Sequence, residues 1–297
     1  MKKILALLLS MCLLAACAIT AGESLPAASG DEKPEKHVSG DYQYTVLEDG
    51  TAEIVSVNPG LEERADPAEE LTIPTELDGI QVTVIGEHVS WWYGLKKLIV
   101  PEGITTLRRS SLSCGTLRTV ELPRSLVTVE DGALMNCENL REIRLPSDHP
   151  ALELTKGMLF SREDGRLIRC LPQNATKRVV IPIGTAIIGM FAFRDCKKMQ
   201  SVTIPDSVTE IRNGAFSHCE NLRSVSVPGS VRALGRDAFG NCKRLKSVRL
   251  GEGLETLGYF AFAYCDKLEK INLPGSLTSF GVNPFLGCDM LKTVTLA

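Results

Sequence analysis

Apolar residues recur along most of the chain in a fixed cycle that changes spacing part-way through each turn. The stretch Leu222-Arg-Ser-Val225-Ser-Val227-Pro228-Gly-Ser-Val231-Arg-Ala-Leu234-Gly-Arg-Asp-Ala238-Phe239-Gly-Asn-Cys242 carries one full cycle. At Val225 and Val227 the spacing tightens to two, which predicts a short strand with one buried face. Pro228 cannot donate to a ladder and ends that strand. Val231 and Leu234 carry the chain across, and the glycine that often follows is expected to make the bend. Ala238-Phe239-x-x-Cys242 then returns it, at a spacing suited to a helical turn or a tight extended run.

The cycle repeats down the chain. Pro123, Pro182, Pro205, Pro228 and Pro274 share one column, with Gly251 standing in once, and Ala133, Ala192, Ala215, Ala238 and Ala261 follow ten residues later. Cys196, Cys219, Cys242, Cys265 and Cys288 lie 23 residues apart, as do Cys114 and Cys137. A single coil cannot bury its own apolar edge, so the copies must stack. Stacked strands form a parallel sheet at about 4.8 Å per coil. The period lies in the range of leucine-rich repeats. The predicted fold is a leucine-rich repeat solenoid of about eight units from Leu71 to Ala297. It has a parallel β-sheet on one face and short helical or extended turns on the other.

Two segments depart from the period. Cys137 and Cys196 are 59 residues apart, 36 more than one repeat. The extra chain includes Gly157-Met-Leu-Phe160-Ser-Arg-Glu-Asp164-Gly165-Arg-Leu-Ile168-Arg-Cys170, two apolar runs about an Asp-Gly turn, which predicts a hairpin insertion at 147–178. Tyr44-Thr-Val-Leu-Glu-Asp49-Gly50-Thr-Ala-Glu-Ile54 has the same pattern and predicts an N-terminal β cap over 41–70, ahead of a solenoid at 71–297.

Together these motifs resemble the BspA-like leucine-rich repeat proteins of bacterial surfaces. The resemblance rests on Ile204-Pro205-x-x-Val208-x-x-Ile211-x-x-x-Ala215-Phe216-x-x-Cys219 and its copies, on the cap from Tyr44 to Ala52, and on the hairpin insertion. It spans 41–297. Two coils depart from it: Val89-Ser-Trp91-Trp92-Tyr93 replaces Ala-Phe-x-x-Cys in the first, and Pro284 replaces the alanine in the last. The resemblance implies a surface protein that adheres to cells or matrix proteins, and it brings no catalytic residues.

The first residues point to export. Lys2 and Lys3 precede a short apolar stretch, Ile4 to Leu14, too short for the roughly 20 residues that span a bilayer. Leu14-Ala15-Ala16-Cys17 resembles the lipobox of bacterial lipoproteins. That resemblance implies a signal peptide over 1–16 and a diacylated Cys17 holding the protein at a membrane; ordinary cleavage at a small-residue site is the alternative. Ala18 stands where an aspartate often retains lipoproteins at the inner membrane, so a cell-surface destination is open. Residues 17–40 are poor in large apolar side chains and are expected to form a flexible tether.

Composition narrows the partners. The 297 residues carry a net charge of −3, against the basic surface that nucleic acid requires. Aromatics are 5%, so the core must be aliphatic and the cluster Trp91, Trp92 and Tyr93 stands out. That cluster is either a surface contact or packing under the cap.

Three sets of residues carry candidate chemistry. Cys114, Cys137, Cys196, Cys219, Cys242, Cys265 and Cys288 would stack in one line inside the solenoid. Parallel side chains are poorly placed for the roughly 90° torsion of a disulfide, and no pair has the close spacing of a zinc site. A ladder of small structural thiols is expected, with disulfides or a metal as alternatives. On the strand face, Lys96, Arg118, Arg141, Arg223, Lys246 and Lys292 form a mostly basic column, to which Arg144 and Arg249 add charge. Small hydroxyls such as Thr119, Ser201, Ser224 and Ser247 lie beside it. This face is either a cationic site for an acidic glycan or protein, or a solvated edge.

Enzymatic motifs are lacking: there is no Gly-x-Ser-x-Gly, no His-Glu-x-x-His and no phosphate loop. Cys170 is the one reactive group noted in the insertion. No catalytic residue, cofactor or metal is predicted. The expected function is adhesion or ligand capture through the strand face and the insertion. The alternative is a structural envelope protein that self-assembles, or binds a neighbour, through the strand Leu291–Ala297, which has no polar cap.

Overall fold

A computed structural model describes residues 34–57, 69–89, 91, 94–173 and 175–296. The expected signal peptide, Cys17, most of the expected tether, Trp92 and Tyr93 lie outside the described residues. The compact unit Glu35–Ala297 contains the whole solenoid.

The long-strand face carries ten strands in parallel sheets of four, four and two. The first sheet ends at Glu142–Arg144, and the second begins at Arg178–Val180 and runs through Ser201–Thr203 and Ser224–Val227 to Ser247–Leu250. The ten strands among the described residues exceed the roughly eight units expected from Leu71, and in Glu70–Thr72 and Arg178–Val180 the leading leucine is replaced by Ala68 and Thr176. A second, shorter set of parallel strands lies across from these, for example Glu210–Ile211, Ala233–Leu234 and Thr256–Leu257.

The return turn is not helical: no helix occurs among the described residues. Its backbone bonds run to the neighbouring coil, as in Phe193 N–H to Ala215 O (2.7 Å) and Phe239 N–H to Ala261 O (2.8 Å). Left-handed residues four apart, such as Asp237 and Asn241 or Phe260 and Tyr264, set the corners. A right-handed helix has no place for such residues.

The insertion and the N-terminal segment share one architecture. His37–Ser39, Tyr42–Val46 and Ala52–Val57 form an antiparallel meander, whose last strand pairs in parallel with Ile80–Ile85. Leu152–Thr155, Met158–Ser161 and Arg166–Cys170 repeat that order, and the last strand pairs in parallel with Ile187–Ile188. Each meander therefore has one strand more than a hairpin. The first strand, His37–Ser39, falls inside the stretch assigned by composition to the tether, where His37 and Val38 pair with Tyr44 and Gln43. The second meander opens a second array with its own hydrophobic core. One core runs from Tyr44 to Leu171 and the other from Met158 to Leu277. Asp131 of the first array ties them, accepting from Arg166 Nη1 (2.7 Å) and Arg212 Nη1 (2.6 Å).

The second core is built on stacked aromatic rings. Phe193, Phe216, Phe239 and Phe262 lie with centroids 4.9 to 5.3 Å apart and planes within 5°. The glycine column is not a bend: Gly235 and Gly258 have ordinary φ. A Cβ on Gly258 would sit 2.5 Å from the carbonyl carbon of Gly235 and 2.6 Å from Leu234 O. Coils meet there backbone to backbone. Gly258→Ala is expected to destabilise the second array by about 1–3 kcal/mol through overpacking; denaturant melts of the two proteins check this.

Candidate functional site

Long-strand side chains alternate inward and outward, as in Ser247–Leu250, where Val248 and Leu250 are buried while Ser247 and Arg249 are exposed. The outward positions make a face on each array, and the two faces differ in charge. On the first, Lys96, Lys97, Arg118, Arg141 and Arg144 meet four carboxylates, Glu69, Glu70, Glu121 and Glu142. Lys96 pairs with Glu69, and Lys97 lies 3.0 Å from Glu70 and 3.1 Å from Glu121. Arg144 binds Glu121 at 2.7 Å and Glu142 at 3.1 Å. Hydrogen bonds that Lys97 donates to Glu70 and Glu121 hold its pKa above the usual value. The positive charge is largely cancelled there.

The second array is different. Lys177, Arg178, Arg223, Lys246, Arg249, Lys270 and Lys292 face one carboxylate, Glu269. Among the described residues, none of the seven has an ion pair. Ser224 aligns with Ser247, and Ser226 with Arg249, so hydroxyls flank the cations. Lys177 and Arg178 escape a reading keyed to the leading leucine; the Pro182 column would have located them. Beside Lys177 a hollow of about 570 Å³ is lined also by Lys197, Lys198 and Gln200.

The eight cysteines among the described residues are free and, except for the partly exposed Cys288, buried. Each Sγ–H points to a main-chain carbonyl 26 residues earlier in Cys219 (Phe193 O, 3.2 Å), Cys242 (Phe216 O, 3.3 Å) and Cys265 (Phe239 O, 3.3 Å). Burial pushes the Cys137 thiol up to about 11 and Cys242 up to about 12. Thiols held protonated in this way are poor nucleophiles. Cys170 is buried too. No group of His, Cys, Asp or Glu side chains among the described residues is placed to hold a metal ion.

The remaining candidates are structural. Trp91 is buried and donates Nε1–H to Ser111 O at 2.8 Å. His149 is buried with Nε2 2.9 Å from Pro123 O, while Nδ1 accepts from the amides of Ala151 and Leu152. Through these bonds the ring pins the insertion to the preceding coil.

A family model, the BspA type leucine-rich repeat region, matches residues 67–160 and 170–295 in six copies. The chain belongs to the BspA-type leucine-rich repeat family. Among solved structures it is similar to a leucine-rich cell surface protein from Faecalibacterium prausnitzii, at 21% identity and a TM-score of 0.59, covering 90% of this chain and 96% of the other. A leucine-rich repeat protein from Eubacterium ventriosum aligns at 17% identity and a TM-score of 0.62, covering 87% and 83% of the two chains. At these identities the likeness is one of fold. A search of curated proteins found no match.

One titrating group responds to the local charge. His218 lies on the return turns, and burial, then the adjacent Arg194 cation, lowers its pKa below the ordinary 6.5. The folded chain therefore takes up this proton at lower pH than the unfolded chain. The associated stability is full above about 6.5 and is lost as the pH falls through the folded pKa. NMR titration of His218 should give a midpoint below 6.5 that rises in Arg194→Gln; an unchanged midpoint would remove Arg194 as a cause.

Proposed function

We propose that this BspA-type repeat protein is a surface-exposed binding protein that captures an acidic protein or glycan ligand on the long-strand face of its second array. The reading rests on one observation: the outward positions there hold seven cations against one carboxylate, with no ion pairs among the described residues. A cationic face of this kind speeds encounter with an acidic partner and gives binding that weakens with salt. Ser and Thr hydroxyls beside the cations supply further hydrogen bonds to such a partner. Neutralisation of Lys96, Lys97 and Arg144 leaves the first array as support for the second.

Cell-surface placement follows from the family resemblance, and the Cys17 lipid anchor from the Leu14–Cys17 motif. Two acyl chains would hold the chain stably at a membrane, which one would not. Nothing in this reading calls for a catalytic step or a cofactor. Self-assembly through the last coil is the second reading. Phe280, Val282, Leu286 and Leu296 are large apolar side chains left exposed there.

Poly-L-glutamate is the simplest probe. The chain is expected to bind it at low salt and release it at high salt. Arg223→Glu, Lys246→Glu and Arg249→Glu together should weaken binding by about tenfold or more, whereas Arg144→Glu should change it by no more than roughly twofold. Absence of binding at either salt, with a chain that sediments as an oligomer, would replace this reading with self-assembly.

A further inference from the structure

The return-turn face carries a groove separate from the cationic strands. It has a volume of about 540 Å³ and runs from Arg109 past Met135 and Met190 to Arg236. It crosses the junction of the two arrays: a Cβ on Gly132 of the first would lie 3.5 Å from the Phe191 ring and 3.9 Å from Met190 Sδ of the second. Five coils take part, so at about 4.8 Å per coil the groove is roughly 20 Å long. That length suits an oligomer rather than a single small molecule.

Its chemistry is cationic and amphipathic. Three guanidiniums, Arg109, Arg194 and Arg236, line it against one carboxylate, Asp237. Arg194 lies 5.3 Å above the Phe191 ring and Arg236 lies 5.7 Å above Phe260. Aromatic faces thus hold two of the cations in place. Asp237 approaches Arg236 Nε at 3.3 Å, and Asp195, behind the lining, approaches Arg194 Nε at 3.4 Å. Both guanidiniums keep further N–H groups for a ligand.

Beneath the groove lies a second, independent feature. Arg169 is fully buried and donates Nη1 to the carbonyl of Phe191 at 2.7 Å, but its Nε and Nη2 have no hydrogen-bond partner. A buried guanidinium without a carboxylate partner is poorly screened and adds positive potential to the wall above it. Asn213 and Asn241 bring amide groups to the lining, and Met190 and Phe191 bring apolar surface. Beyond Arg236, Tyr259 is more than half exposed. Carboxylate-recognising forks, amides and flat apolar surface together match a sugar chain bearing acid groups.

We propose that the return-turn groove binds an acidic oligosaccharide, with its carboxylates on Arg109, Arg194 and Arg236 and its sugar rings against Met190 and Phe191. This site is independent of the strand-face reading and uses none of its residues. Calorimetric titration of the full chain with tetragalacturonate, and with a neutral maltotetraose, tests it. Tetragalacturonate is expected to bind and maltotetraose is not. Arg109→Glu with Arg236→Glu should abolish the heat, and Arg109→Gln alone, a mild change at an exposed side chain, should weaken affinity several-fold. Arg223→Glu with Lys246→Glu should leave it unchanged. The proposal fails if the unmodified chain gives no heat with tetragalacturonate, if maltotetraose binds equally, or if the loss follows the strand-face pair instead. It fails too if Arg109→Gln binds as the parent does.

Discussion

Each coil donates backbone hydrogen bonds to the coil beside it on the strand faces and also through the return turn, as at Phe216 N–H to Ala238 O. Coil-to-coil spacing is therefore set by the main chain, and side chains must fit it. At Gly235, Gly258 and Gly281 there is no space for a Cβ. Along the aromatic column, Phe216 and Phe239 lie with centroids 4.9 Å apart and planes within 1°. Along the cysteine column the same spacing places the thiols of Cys219, Cys242, Cys265 and Cys288 against carbonyls of the neighbouring coil. The aromatic and cysteine columns of the second array are thus held to one kind of residue, which makes the period visible there.

The same constraint produces the surface. Outward positions fall in straight columns, so charges of one sign accumulate unless the sequence alternates them. The first array alternates, with glutamates set between its basic residues. The second leaves its cations without carboxylate partners. An exposed ion pair contributes little to stability, about 0–1 kcal/mol. The contrast between the arrays thus has little to do with folding and more to do with what meets the face.

Much of this was legible in the chain itself. The proline, alanine and cysteine columns were enough to place the strands, the buried faces and the family resemblance, and Asp49-Gly50 and Asp164-Gly165 marked both meanders. Several features were not legible. The loss of the leading leucine hid the coil at Thr176, and Lys177 and Arg178 with it. The spacing Ala238-Phe239-x-x-Cys242 is compatible with a helical turn, and only the bonding to the next coil excludes one. Neutralisation of Arg144 by Glu121 depends on which residues two coils bring side by side. The groove combines Arg109 with Arg236, 127 positions apart in the chain, and no local motif joins them.

The two arrays share a fold, but on the long-strand face only the second presents largely unpaired charge to a ligand. Arginine footprinting with phenylglyoxal, with and without poly-L-glutamate, tests it directly. Protection of Arg178, Arg223 and Arg249 is expected, with Arg144 unaffected by the polymer. Equal protection of the two arrays, or protection of neither, would contradict it.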